Sequence, residues 1–190
     1  MFIQTEATPN PETLKFLPGQ PVLTEGTMDF ANRDEADKSP LAMRLFDVHG
    51  VARVFLGTDF VSVTKASDAD WKHVKTMTLA AIMDHYTSGM PVLEDGVSLH
   101  EAADETEYEG DAAEIVSEIK ELIETRVRPA VAQDGGDIQF DRFDPETGLV
   151  TLQMRGACAG CPSSTMTLKQ GIENMLRHYV PEVTGVEAAL

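Results

Sequence analysis

The two cysteines of this 190-residue chain lie three positions apart, in Gly156-Ala157-Cys158-Ala159-Gly160-Cys161-Pro162-Ser163-Ser164. Two thiols at that spacing in a tight turn can point at one metal centre, and Gly156 and Gly160 let the backbone fold closely around it. Pro162 suits the first turn of a helix, so Cys161 falls where unpaired backbone N–H groups and the helix dipole favour negative charge. Thiolates are expected to be stabilised there, as metal ligation and dithiol redox chemistry both require. In a reducing compartment such a pair is a poor candidate for a structural disulfide.

Ligand counting narrows the chemistry. A tetrahedral zinc ion or a common iron-sulfur cluster takes four protein ligands, and the chain offers two cysteines with no nearby His in a zinc-type pattern. His178 lies about 25 Å along the helix begun by Pro162, at roughly 1.5 Å per residue, and suits a helix C-terminus better than a ligand. A two-fold dimer supplies the shortfall by bringing Cys158 and Cys161 of each copy to one cluster. That cluster would sit at a subunit interface near solvent, which suits delivery. Two other readings stay open at this point. One is a thiol-disulfide oxidoreductase with Cys158 as nucleophile and Cys161 as resolving thiol; the other is a dimer-bridging structural zinc site. Ser163 and Ser164 can donate to cluster sulfur or cap the helix, Met154 and Met166 read as core fillers, and Asp134 and Asp137 read as turn formers.

These residues need elements to hold them. From 114 onward an amphipathic helix carries Ile115, Ile119, Leu122, Ile123 and Val127 at three- and four-residue spacing, with a kink or end at Pro129. Asp134-Gly135-Gly136-Asp137 turns the chain into a strand with Ile138 and Phe140 on one face. Asp144-Pro145-Glu146-Thr147-Gly148 reverses it into a second strand with Val150, Leu152 and Met154. The CxxC then opens a helix over about 162–179, with Leu168, Ile172, Met175, Leu176 and Tyr179 facing the core, and 183–190 closes the sheet.

The preceding half carries no cysteine. Ser39-Pro40 starts a helix, Val51–Leu56 and Phe60–Thr64 form a hairpin, and a second helix capped by Ser67 or Asp68 turns Trp71, Val74, Thr78, Ala81, Ile82 and His85 inward. Trp71 reads as a core anchor and His85 as a hydrogen-bonded packing residue. The fold class is α+β, as two small domains: residues 1–90, an acidic linker over 91–113, and residues 114–190 in helix-strand-strand-helix-strand order. The linker holds eight acidic residues and no basic one, out of a formal net charge of −17. It is expected to be solvated and self-repelling.

Together these segments resemble the Nfu proteins, whose C-terminal domain is the NifU-like iron-sulfur module. The resemblance rests on Arg128-Pro129, Asp134-Gly135-Gly136-Asp137, the CxxC segment and Pro181-Glu182-Val183-Thr184-Gly185-Val186. In the first half it rests on Gln4-Thr5-Glu6-Ala7-Thr8-Pro9-Asn10-Pro11, Gly26-Thr27-Met28-Asp29-Phe30 and Ser39-Pro40-Leu41-Ala42. It implies a non-enzymatic scaffold or carrier that receives a [4Fe-4S] cluster, or a [2Fe-2S] one, from upstream assembly factors and passes it to apo-proteins. The implied ligands are Cys158 and Cys161, and the N-terminal domain is implied to help recognise targets.

The acidic balance excludes a nucleic-acid surface, which relies on clustered Lys and Arg, and no apolar run is long enough to cross a bilayer. Met1-Phe2-Ile3-Gln4-Thr5-Glu6 resembles neither a secretory signal nor an Arg-rich presequence. The expected location is a bacterial cytoplasm, or an organellar matrix for a processed form.

Overall fold

The structure is a computed structural model. It describes residues 2–97, 107–160 and 162–189, with the side chains of 162–165 outside the description. The chain divides into two units, residues 1–101 and 102–190.

The first unit is an antiparallel five-stranded sheet carrying two helices. Its strands are β1 (Gln4–Ala7), β2 (Thr13–Leu17), β3 (Met28–Phe30), β4 (Val51–Leu56) and β5 (Val61–Lys65), in the order β1-β2-β5-β4-β3. Helix α1 (Pro40–Phe46) starts as Ser39-Pro40 dictates: the Ser39 Oγ accepts the Ala42 N–H at 3.1 Å and Pro40 fills the first helical position. That hydroxyl also donates to the Val92 carbonyl at 2.6 Å, and Val92 and Leu93 pack on the core formed by Phe16, Phe30, Leu41, Leu45, Leu56 and Ile82.

Helix α2 (Trp71–Ser88) differs from expectation in three respects. Asp70 caps it, rather than Ser67 or Asp68, by accepting the Lys72 N–H at 2.8 Å. Trp71 is only half-buried; its Nε1 donates to the Pro11 carbonyl at 2.9 Å and pins the helix start to the Pro-rich turn instead of anchoring the core. His85 is fully enclosed as expected, but among the described residues neither ring nitrogen has a hydrogen-bond partner, nor does the buried Thr78 hydroxyl two turns earlier.

The second unit begins with α3 (Asp111–Leu122), which runs through a π-helical turn (Ile123–Val127) into α4 (Arg128–Gln133). Pro129 supplies the cause. It has no N–H for the Thr125 carbonyl, and its ring crowds that group, so the ladder widens. The Arg128 N–H reaches five residues back to Ile123. The expected kink is thus a widened turn, and the helix continues.

Strands β6 (Gly136–Asp144) and β7 (Leu149–Gly156) form an antiparallel hairpin, bulged between Phe140 and Arg142. Helix α5 (Pro162–Tyr179) then carries the chain to β8 (Gly185–Ala188), parallel to β7, giving the order β6-β7-β8. The fold is α+β in helix-strand-strand-helix-strand order. Ile119, Ile138, Val150, Leu152, Ile172 and Leu176 form its core, and Tyr108 belongs to it as well, its hydroxyl accepting the Phe143 N–H at 2.8 Å. Two residues expected inside lie outside. Met166 is 72% exposed, and Tyr179 is 42% exposed beneath the Arg126 guanidinium, 4.8 Å from its ring centre.

Candidate metal centre

The CxxC segment leaves β7 at Gly156, whose φ of +60° turns the backbone sharply, and Gly160 takes a second left-handed conformation at +77°. Between them the turn is held by main-chain hydrogen bonds: Cys158 N–H to the Arg155 carbonyl at 3.2 Å, Ala159 N–H to Gly156 at 3.1 Å, and Ala157 N–H to Gly135 at 3.1 Å. The last bond reaches the Asp134–Asp137 turn. Gly136 pairs directly with Gly156 in the hairpin register. The two short motifs, far apart in sequence, form one structural unit.

Their approach is close. A Cβ at Gly136 would stand 2.5 Å from the Cys158 sulfur and 3.0 Å from both the Cys158 nitrogen and the Arg155 carbonyl oxygen. Cys158 itself is 5% exposed and packs with the apolar core. Burial, reinforced by the charges of Asp134 and Asp137, pushes its thiol up to about 12. The stabilised thiolate expected at this turn is therefore not found at Cys158, because an apolar wall and two carboxylates outweigh the nearby helix start. Cys161 lies outside the described residues, as do the side chains of Ser163 and Ser164.

Asp137 does more than shape a turn. It is enclosed, and its carboxylate takes Arg128 Nε at 2.8 Å and Arg128 Nη2 at 2.9 Å, with the Ile138 N–H and the Gln139 amide as further donors at 2.9 and 3.2 Å. Burial works against the Arg128 charge, but the hydrogen bonds it donates to Asp137 and Glu124 outweigh it and hold the guanidinium above its ordinary value. This pair joins the start of α4 to the start of β6, beside the cysteine turn. Sequence reasoning noted both residues as motif letters and missed the bond between them. The available clue was an Arg placed directly after the inward-facing Val127.

Among the described residues no group of three or more His, Cys, Asp or Glu side chains converges on one point. His178 stands edge-on to Tyr179 at 5.0 Å, at the opposite end of α5 from Pro162. Asp137 is committed to Arg128, so Asp134 and Asp137 do not make an acid-base pair.

A thiol-bearing turn on a helix-strand-strand-helix-strand unit, preceded by a separate α+β unit, gives a two-domain α+β build. Residues 3–89 match the family described as scaffold protein Nfu/NifU N terminal, and residues 119–187 match the NifU-like domain. The chain is 56% identical over 187 residues to the NifU-like protein 4, mitochondrial, of Arabidopsis thaliana, covering 98% of this chain and 65% of that protein. It is 49% identical over 191 residues to the human NFU1 iron-sulfur cluster scaffold homolog, mitochondrial, covering all of this chain and 72% of that one. A NifU-like protein from Saccharomyces cerevisiae, solved in solution, aligns at a TM-score of 0.45 and 26% identity over 50% of this chain and 86% of its own. The chain belongs to the Nfu family and spans about two thirds of the length of the two mitochondrial relatives named.

Proposed function

We propose that this protein is a carrier that binds an iron-sulfur cluster through Cys158 and Cys161, bridged between two copies of the chain, and hands it to apo-proteins. The observation that carries the reading is the donor shortage. The chain brings two thiols to the β7–α5 turn, and no other metal-binding cluster exists among the described residues. Four thiolates suit a [4Fe-4S] cargo or a [2Fe-2S] one, and a second chain supplies the missing pair. Met166, on the second turn of α5 and largely exposed, gives the apolar contact such a dimer would cover. The human relative's name, an iron-sulfur cluster scaffold, supports the cargo.

Upstream assembly factors would load the cluster, and target apo-proteins would receive it. The first unit, with its own core, would fold independently of the cluster-binding unit, the acidic segment within 91–113 serving as a solvated tether. The mitochondrial relatives support an organellar matrix as the site of action.

The burial of Cys158 weighs against the thiol-disulfide oxidoreductase reading. An attacking cysteine must be accessible and ionised, and in the conformation described Cys158 is buried with its thiol pushed up by that burial. A bridging zinc ion would use the same thiols and is separated by metal analysis. The deciding experiment measures iron, acid-labile sulfide and zinc beside molar mass in solution, for the anaerobically purified protein and for Cys158→Ala and Cys161→Ala. The reading predicts cluster iron with sulfide in a dimer of the parent and none stably held by either variant. A monomer carrying one full cluster, with no small thiol completing the site, would overturn it.

A further inference from the structure

If Cys158 is a cluster ligand, as proposed above, its position poses a mechanical problem. A cluster shared between two chains needs the sulfur at a surface the second chain can reach, whereas here the residue is 5% exposed and set into the core.

Gly136 explains how it stays there. Gly135 has a φ of +78°, a conformation that favours glycine on backbone grounds alone. Gly136 is not among the residues of positive φ, and it sits in a regular strand pair opposite Gly156. Its backbone would accept any residue; what excludes a side chain is the sulfur of Cys158 and the main chain of Arg155 and Cys158, all within 3.0 Å of where a Cβ would stand. A glycine in a strand weakens it unless something needs the room. Here the room is filled by Cys158.

The turn has a means of leaving. Gly156 and Gly160 flank Cys158, and glycine passes between left- and right-handed conformations without the steric cost other residues meet. The Ala157-to-Gly135 hydrogen bond is a tie to the opposite motif that such a movement would break.

We infer that Gly136 is the seat of a sheltered Cys158 in the cluster-free protein, and that the cysteine leaves this seat by local rotation about Gly156 and Gly160 to take up its cargo. The seat keeps an empty carrier's thiol from oxidation and from pairing with Cys161. Loading is then gated by a local opening rather than by unfolding.

The test uses the full chain with Cys161→Ala, so that Cys158 is the single thiol, and follows its alkylation by iodoacetamide under anaerobic conditions. The native rate should be at least about 100-fold below the rate in denaturant, and it should stay flat in low urea, since local opening exposes little surface. Adding Gly136→Ala should raise the native rate at least about tenfold while the unit still melts cooperatively. Gly171→Ala, in open space on α5, should stabilise the helix yet leave the rate unchanged. A native rate within about threefold of the denatured one, a rate that climbs with urea along the global unfolding slope, or a rate slowed by Gly171→Ala would each overturn the seat. The urea and Gly171 arms stand even if Gly136→Ala fails to fold. No iron enters the measurement, so its failure would leave the cluster assignment to the metal analysis.

Discussion

Arg128 grips Asp137 with two parallel arms of its guanidinium, Nε to Oδ1 at 2.8 Å and Nη2 to Oδ2 at 2.9 Å. The side chains are unequally sheltered: 23% of Arg128 is exposed against 3% of Asp137. A planar fork meeting a carboxylate edge-on fixes direction as well as distance. The bond therefore sets where β6 begins relative to α4, and with it the position of Gly136.

The inequality predicts an asymmetric response to mutation. Arg128→Ala strands an enclosed carboxylate and should cost about 3–5 kcal/mol in the second unit's unfolding transition. Asp137→Asn leaves an arginine that still reaches Glu124 and water, and should cost about 2 kcal/mol. Urea unfolding monitored by circular dichroism distinguishes them, and equal losses would contradict the account.

His85 makes the first unit sensitive to mild acid. Burial, with the Arg44 charge adding to it, lowers its pKa below the ordinary 6.5. A group depressed in the folded state binds its proton first in the unfolded state. Stability is thus fully present above about pH 6.5 and falls as the pH drops toward the folded value. The melting temperature of this unit should fall between pH 7.5 and 5.5 in the parent and stay nearly level in His85→Leu. Parallel profiles would remove His85 as the cause.

Gly148, at a φ of +73°, closes the β6–β7 hairpin against the start of β8: a Cβ there would strike the Glu182 carbonyl and stand 2.8 Å from the Thr184 methyl. Gly148→Ala combines backbone strain with overpacking and should cost about 2–4 kcal/mol. Gly89→Ala, also left-handed but in open space, should cost only about 1 kcal/mol, in the first unit. Thermal melts of both variants separate the two contributions.

If Met166 is covered in the cluster-bridged dimer, Met166→Glu should weaken that dimer about tenfold or more, by losing apolar burial and setting like charges across the two-fold axis. Sedimentation of the cluster-loaded protein reads this directly. The fold should be unchanged, because the residue is exposed on α5. An unaltered dimer would move the interface elsewhere.

Where local chemistry decides, the sequence was a sufficient guide. The Ser39-Pro40 start, the strand that buries Val150 and Leu152, and Pro162 opening α5 all appear as expected, since each depends on residues a few positions apart. What escaped depends on distant partners. Trp71 is held by Pro11, Cys158 is enclosed by Gly136, and Arg128 is committed to Asp137. Periodicity counts Met166 and Tyr179 as apolar without saying which face of α5 the sheet covers. The cysteine spacing was legible at once, but the burial of Cys158 was not, because it is made by a hairpin register.

The widened turn before Arg128 also sets a clock for the helix. An α-helix rotates its side chains by about 100° per residue, so one extra residue in the ladder shifts everything beyond it by that angle. Ile119 and Leu122 are phased by the first half of the rod, Arg128 and Val131 by the second. Closing this turn to an ordinary ladder with the same residues, which Pro129 opposes at the Thr125 carbonyl, would rotate one half out of phase. The apolar stripe and the arginine fork could then no longer both face inward, so the widened turn is what keeps the two halves of the rod in phase with one core.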